Sequence, residues 1–256
     1  MSSRMPSGAP DQSELRISVL GPLRLQVDGV EVEVPGPKRR AVLAMLAMAA
    51  PDPVTVDQLV DAVWPEELPG SARAALHSHV SRLRRHLGPV ASRLRSSSAG
   101  YRLELGPDEL DVTRVSRFLD DARAFRAVGD PEGERRTLAC ALEQWRGVPL
   151  GELLSYRPLA AWSQALVQLQ LDTADELAAR ELDLGQASAA AAVASASLFT
   201  DPLRETSLAL LVQALAASGR SAAALRTANE FRQRLRVETG LDPSAAPAFH
   251  ERRAGL

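Results

Sequence analysis

The sequence predicts a mainly α fold with a small β component, arranged in two parts. Three observations predict it. Short alternating strand patterns and three helical ones share the first hundred residues; everything after Pro107 carries helical periodicity without a convincing strand pattern; and within that second part a spacing of 34 residues recurs. A chain of 256 residues that is 45% hydrophobic supports one large or two modest domains, each with its own core. Disorder of the whole chain is excluded.

Met1 to Ser13 is rich in Ser, Pro and Gly without periodicity and reads as disordered. Arg16–Leu20 and Leu23–Val27 then alternate polar and apolar residues around Gly21-Pro22, and Val30–Val34 alternates again after Asp28-Gly29, which predicts a small antiparallel sheet. Pro37 opens a helix with Val42, Leu43, Leu46 and Ala50 at helical spacing, and Pro51 stops it. Thr55 and Gln58 form a capping box for a second helix carrying Leu59, Val60 and Val63, which ends at Trp64-Pro65. Ser71 caps a third helix that runs to Leu87 and stops at Gly88-Pro89. Finally, Leu94–Ser97 and Tyr101–Leu105 flank Ser98-Ala99-Gly100 as a β-hairpin.

Charge is distributed unevenly along these elements. The total is −2, but Leu68 to Leu103 holds seven arginines and no acid, bracketed by Glu67 and Glu104; this +7 leaves −9 on the rest of the chain. Leu76, Val80, Leu83 and Leu87 form the apolar stripe of the third helix. At about 100° per residue, Ala74, Ser78, Ser81, Arg82 and Arg85 fall opposite it, with Arg73, His77 and Arg84 on one flank. Helix, helix, basic helix and hairpin is the order of a winged helix-turn-helix, whose third helix enters the major groove of double-stranded DNA. The predicted DNA-facing set is therefore Arg73, Ala74, His77, Ser78, Ser81, Arg82, Arg84 and Arg85 on the helix, with Arg95, Ser97 and Arg102 on the wing. Arg84, on the flank, can instead brace the domain through its stem. Lys38, Arg39 and Arg40 stand at a helix start against the macrodipole, which points to phosphate contact.

Several motifs resemble known proteins. Val80-Ser81-Arg82-Leu83-Arg84-Arg85-His86-Leu87 and Gly100-Tyr101-Arg102-Leu103 resemble the third helix and wing of OmpR-type DNA-binding domains. Leu20-Gly21-Pro22-Leu23, Gly36-Pro37-Lys38-Arg39-Arg40-Ala41-Val42-Leu43 and Asp57-Gln58-Leu59-Val60-Asp61-Ala62-Val63-Trp64 resemble, more specifically, the Streptomyces antibiotic regulatory protein family.

In the helical part, Phe118, Leu119 and Ala122 belong to a first helix, and Gly129-Asp130-Pro131 separates it from a second with Leu138, Leu142 and Trp145. A long helix from Leu159 to Leu184, another from Gln186 to Phe199, and a pair from Leu203 to Ser218 and Ser221 to Val237 follow. Gly185 and Gly219 lie 34 residues apart, as do Leu177 and Leu211, which is the tetratricopeptide period. Trp145-Arg146-Gly147, Pro202-Leu203-Arg204-Glu205, Gly219-Arg220 and Gly240-Leu241-Asp242-Pro243-Ser244 resemble the bacterial transcriptional activation domain of the same family.

The expected division is thus a disordered 1–13, an N-terminal winged helix-turn-helix domain at 14–107 and an all-α tetratricopeptide-like activation domain at 108–256. With about a dozen residues before the first strand, no receiver domain is expected ahead of it, and no nucleotide-binding domain after the helical part. The resemblance implies an activator of a secondary-metabolite gene cluster in an actinobacterium. It further implies a dimer binding tandem direct repeats side by side and recruiting RNA polymerase holoenzyme. The loop after Trp64, with Glu66 and Glu67, lies outside the groove-facing surface and is the expected polymerase contact.

Other chemistry finds little support. His77, His79 and His86 suggest a metal only superficially, because His79 points toward the core side of its helix while His77 does not. The single cysteine, Cys140, has no partner at hand and reads as a core residue; Trp64, Trp145 and Trp162 read as core anchors. No hydrolase, dinucleotide, phosphate-loop or paired-cysteine motif occurs, and no catalysis or cofactor is expected. The longest apolar run, Ala41–Ala50, is too short for a membrane span, and cysteine usage fits a reducing cytoplasm. A competing class is a solenoid scaffold for a protein or peptide, which the basic third helix separates from the reading above; a third is a ligand-sensing regulator, for which no convergent polar set names a ligand.

Overall fold

Alternation at the start of the chain produces a three-stranded antiparallel sheet, β1 (Leu15–Ser18), β2 (Arg24–Val27) and β3 (Val30–Glu31), in that order. Val27 pairs with Val30 across Asp28-Gly29, and both turn residues have positive φ (51° and 75°), as a tight Asp-Gly hairpin requires. The computed structural model describes residues 13–64 and 70–240, so most of the N-terminal segment and the loop holding Glu66 and Glu67 lie outside the described residues.

Next come α1 (Pro37–Ala49), α2 (Val56–Val63) and α3 (Ala72–Leu87). The capping box at Thr55 is present: its hydroxyl accepts from the Gln58 N–H (3.1 Å) and the Gln58 side chain accepts from the Thr55 N–H (2.9 Å). Ser71 is the cap of α3 by position, but its side chain makes no capping bond. The stripe Leu76, Val80, Leu83 and Leu87 is buried as its spacing predicts. A 3-10 turn, Gly88–Arg93, leads to the hairpin β4 (Leu94–Ser97) and β5 (Gly100–Leu103), with Arg95 opposite Arg102.

Compactness divides the chain into one unit of Met1–Ala124 with Ala139–Gln170 and another of Phe125–Leu138 with Leu171–Leu256. Packing therefore groups residues on both sides of the compositional change at Pro107. In the first unit α4 (Asp111–Val128) begins with a buried carboxylate that accepts from the N–H groups of Val19 (2.8 Å) and Leu20 (2.9 Å). The Arg146 N–H donates to the Leu20 carbonyl (2.7 Å), and Leu150 N–H to that of Gly21 (2.8 Å). A side chain at Gly21 would meet the Arg146 Cβ at 3.1 Å. Two motifs more than a hundred residues apart, Leu20-Gly21-Pro22 and Trp145-Arg146-Gly147, are thus one contact. The core continues from the sheet and α1–α3 to Trp145, Leu150, Leu153, Leu159 and Leu166.

The second unit takes in the α5 helix (Pro131–Leu142) as far as Leu138, α6 (Arg157–Asp183) from Leu171 onward, then α7 (Ala187–Thr200), α8 (Glu205–Ala217) and α9 (Ser221–Thr239). Gly129, Gly185 and Gly219 have nearly identical φ (74–75°). At each, the following residue's N–H reaches back five residues: Asp130 to Phe125, Gln186 to Glu181 and Arg220 to Leu215. The same left-handed cap ends three helices, which gives the 34-residue spacing its physical basis. Ala178, Ala194, Leu211, Leu215 and Ala224 fill this core, small residues letting the helices approach closely. Buried Glu134 holds Arg126 (2.6 Å) and Arg180 (2.8 Å), while Arg204 holds Asp172 and Asp175 (2.5 and 2.7 Å). Cys140 corrects the sequence reading: it is exposed, because the face of α5 that packs carries Leu138, Ala141 and Glu134.

Candidate nucleic-acid interface

The α3 face opposite the apolar stripe is open. Ala74, Ser78, Ser81, Arg82 and Arg85 are all exposed, and Arg82 and Arg85 make no ion pair or hydrogen bond among the described residues. The flank differs. Arg73 reaches Asp57 of α2 (2.6 Å), with both side chains largely in solvent, so the pair is weak and easily exchanged. The His77 Nδ1 is hydrogen-bonded to the Tyr101 hydroxyl, and Arg84 donates from Nε to the Leu94 carbonyl (3.0 Å) and from Nη2 to the Ser96 hydroxyl (2.8 Å). Arg84 therefore braces α3 against β4, the second of the two roles its position allowed.

The wing is seated by backbone. Val54 and Tyr101 exchange N–H to carbonyl bonds of 2.8 and 2.9 Å, which fastens β5 to the α1–α2 connection. Gly100 is needed there: its φ is +140°, and a Cβ would sit 2.1 Å from the Val54 carbonyl oxygen. Ser97 is exposed near the hairpin turn. Arg95 and Arg102 are exposed but share a partner, Glu104, at 2.8 and 2.7 Å. Sequence reading noted Glu104 only as the end of an acid-free stretch. Its spacing of two from Arg102 on a strand was the available signal, since such residues share a face.

The three cations of α1 turn inward. Lys38 Nζ lies 4.9 Å from the centre of the Trp64 ring, Arg39 bonds to His86 Nε2 (3.1 Å), and Arg40 pairs with Glu152 while donating to the Leu23 carbonyl (3.0 Å). For Arg40, Nη2 is held by the Glu152 carboxylate and the Leu23 carbonyl, so a phosphate reaching it competes with internal acceptors. Intramolecular partners also account for cations placed against the helix dipole. Beside Trp64 lies His79, its ring 5.9 Å from the indole and its buried Nδ1 without a hydrogen-bond partner among the described residues. Burial, with Arg39, Arg82 and Lys38 nearby, holds its pKa below the ordinary 6.5. Burial pushes the Tyr101 hydroxyl up, partly offset by Arg84. Trp64 and Trp145 are buried; Trp162 is half-buried and lines a cavity of about 500 Å³ with Met45, Ala49, Val54, Asp61 and Arg157.

Comparison with known proteins places this arrangement. Residues 31–103 match the family described as transcriptional regulatory protein, C terminal, and residues 110–250 match the bacterial transcriptional activator domain. Transcriptional regulatory protein EmbR of Mycobacterium tuberculosis is 35% identical over 93% of this chain, which spans 63% of EmbR. Regulatory protein AfsR of Streptomyces coelicolor is 35% identical over 93% of this chain and 24% of AfsR. Transcriptional regulatory protein MoaR1 of M. tuberculosis is 31% identical over 90% of this chain and 76% of MoaR1. The solved structure of M. tuberculosis EmbR in complex with a low affinity phosphopeptide superposes with a TM-score of 0.85 at 34% identity, over 92% of this chain and 63% of that one. With both domain types in this order and relatives of this similarity along nearly its whole length, the chain belongs to the Streptomyces antibiotic regulatory protein family.

Proposed function

We propose that this chain is a sequence-specific DNA-binding transcriptional activator, with 14–107 binding DNA and 108–256 serving activation. The observation that carries this reading is the exposed face of α3, where Arg82 and Arg85 have no partner among the described residues and stand among Ala74, Ser78 and Ser81 beside a seated wing. An arginine free of internal partners can grip a guanine edge or a phosphate bidentately, and small neighbours let the helix approach the groove floor. Phosphate contacts supply affinity, and α3 reads sequence.

On family grounds the targets are tandem direct repeats upstream of a secondary-metabolite gene cluster, bound in the cytoplasm at the nucleoid by protomers lying side by side, with RNA polymerase holoenzyme recruited through Glu66 and Glu67. The test is a mobility-shift titration on upstream fragments of the protein's gene neighbourhood, with competitor DNA and at two salt concentrations. A competitor-resistant, salt-weakened shift lost in the Arg82→Ala, Arg85→Ala double variant supports the reading; no specific shift by the folded protein on any fragment overturns it. Charge reversal at Glu66 and Glu67 is expected to lower transcription with DNA binding intact, and unchanged transcription removes that loop from the mechanism.

A further inference from the structure

Two arginines of the wing share one anion. Arg95 and Arg102 face each other across β4 and β5, and the Glu104 carboxylate spans them, Oε2 at 2.8 Å from Arg95 Nε and Oε1 at 2.7 Å from Arg102 Nη2. All three side chains are solvent-accessible, at 60%, 44% and 36% for Arg95, Arg102 and Glu104. Two oxygens of one monoanion divided between two guanidinium groups is also how the non-bridging oxygens of a phosphodiester are held. We propose that Arg95 and Arg102 form a phosphate site on the wing, and that Glu104 occupies it as an internal stand-in which a DNA backbone phosphate displaces. Glu104 then keeps both guanidinium groups converged on one point and sets how tightly, and how salt-dependently, the wing grips. This rests on the DNA-binding reading above and assigns one part of that surface.

Magnitudes make the exchange feasible. An exposed ion pair contributes only about 0–1 kcal/mol, so an incoming phosphate meets a weak competitor of equal charge. The Glu104 N–H donates to the Arg93 carbonyl (2.9 Å), which keeps the backbone in place while the carboxylate swings away. A carboxylate left beside a bound phosphate repels it, and this repulsion separates the proposal from a simple positioning role. If Glu104 only aims the arginines, removing its charge weakens binding; if it competes for their site, removing its charge strengthens binding.

The experiment is fluorescence anisotropy of the full chain on a labelled short duplex of random sequence, titrated across salt between about 50 and 200 mM. Glu104→Gln is expected to tighten binding about three- to tenfold and to steepen the slope of log K against log[salt] by about one. Glu104→Ala, which removes the amide's own hydrogen bonds, shifts both in the same direction. On the Arg95→Ala, Arg102→Ala background, which itself binds more weakly, Glu104→Gln has no effect. Unchanged or weaker binding by both Glu104 variants overturns the proposal while wild-type binding leaves the DNA reading standing. Failure of the wild-type chain to bind any duplex at low salt overturns both.

Discussion

Arg82 and Arg85 on α3 and the Lys38-Arg39-Arg40 run on α1 look alike as sequence, each a cluster of cations on a helix. Their surroundings separate them. The α3 pair points to solvent with no partner among the described residues, whereas each cation of α1 is matched to an aromatic ring, a histidine or a carboxylate. Both are cations on helices, so what distinguishes a ligand-facing cation from a structural one is the residual demand of its hydrogen-bond donors. The wing lies between these extremes, with exposed arginines that share, among the described residues, the half-exposed Glu104.

Variants sharpen this comparison, beginning with the free cations. Replacing both Arg82 and Arg85 by Ala should cost about 2–6 kcal/mol of DNA binding, read by anisotropy on an operator fragment, and leave the melting temperature within error. An equal loss of stability would show that these arginines have structural partners after all. Gly100→Ala tests the seating of the wing: the close approach to Val54 should cost about 3 kcal/mol in denaturant unfolding, with DNA binding weakened alongside.

Arg84→Ala removes two hydrogen bonds between α3 and β4 and should cost about 1–3 kcal/mol of stability. Arg84→Lys should not restore it, since an ammonium cannot span both acceptors. For α1, Lys38→Met should cost about 0.5–1 kcal/mol of stability through the lost contact with Trp64 and leave the salt slope of DNA binding unchanged; a shallower slope would show that Lys38 contacts phosphate. The smallest effect is expected from pH. His79 has a depressed folded-state pKa, so its contribution to stability is present above 6.5 and is lost as pH falls through the lower folded value. His79→Gln should flatten the fall in melting temperature below pH 6.5, and an unaltered acid limb would show that His79 is not its source.

Much of the fold was legible because its signals are local. The Asp28-Gly29 turn, the Thr55–Gln58 capping box, the α3 stripe and the glycine caps all depend on residues within a few positions of each other. The same holds for the open face of α3, which follows from helical geometry once the stripe is known. Cys140 shows the limit: without knowing which face of α5 packs, its burial was a guess from residue type, and the guess was wrong. Glu104 was within reach of a period-two reading, but Asp111 and Glu152 were not, since the groups they hold lie about ninety to a hundred and thirty residues away.

By itself the sequence determined the order of elements, the caps that end them, the polarity of each helix and the family to which the chain belongs, because these are written in spacing and residue type. Tertiary structure decided which cations are spent and which are free. A guanidinium is satisfied by whatever acceptor the fold brings within about 3 Å, and Glu152 reaches Arg40, Tyr101 reaches His77 and Leu94 reaches Arg84 only after the elements that carry them have packed.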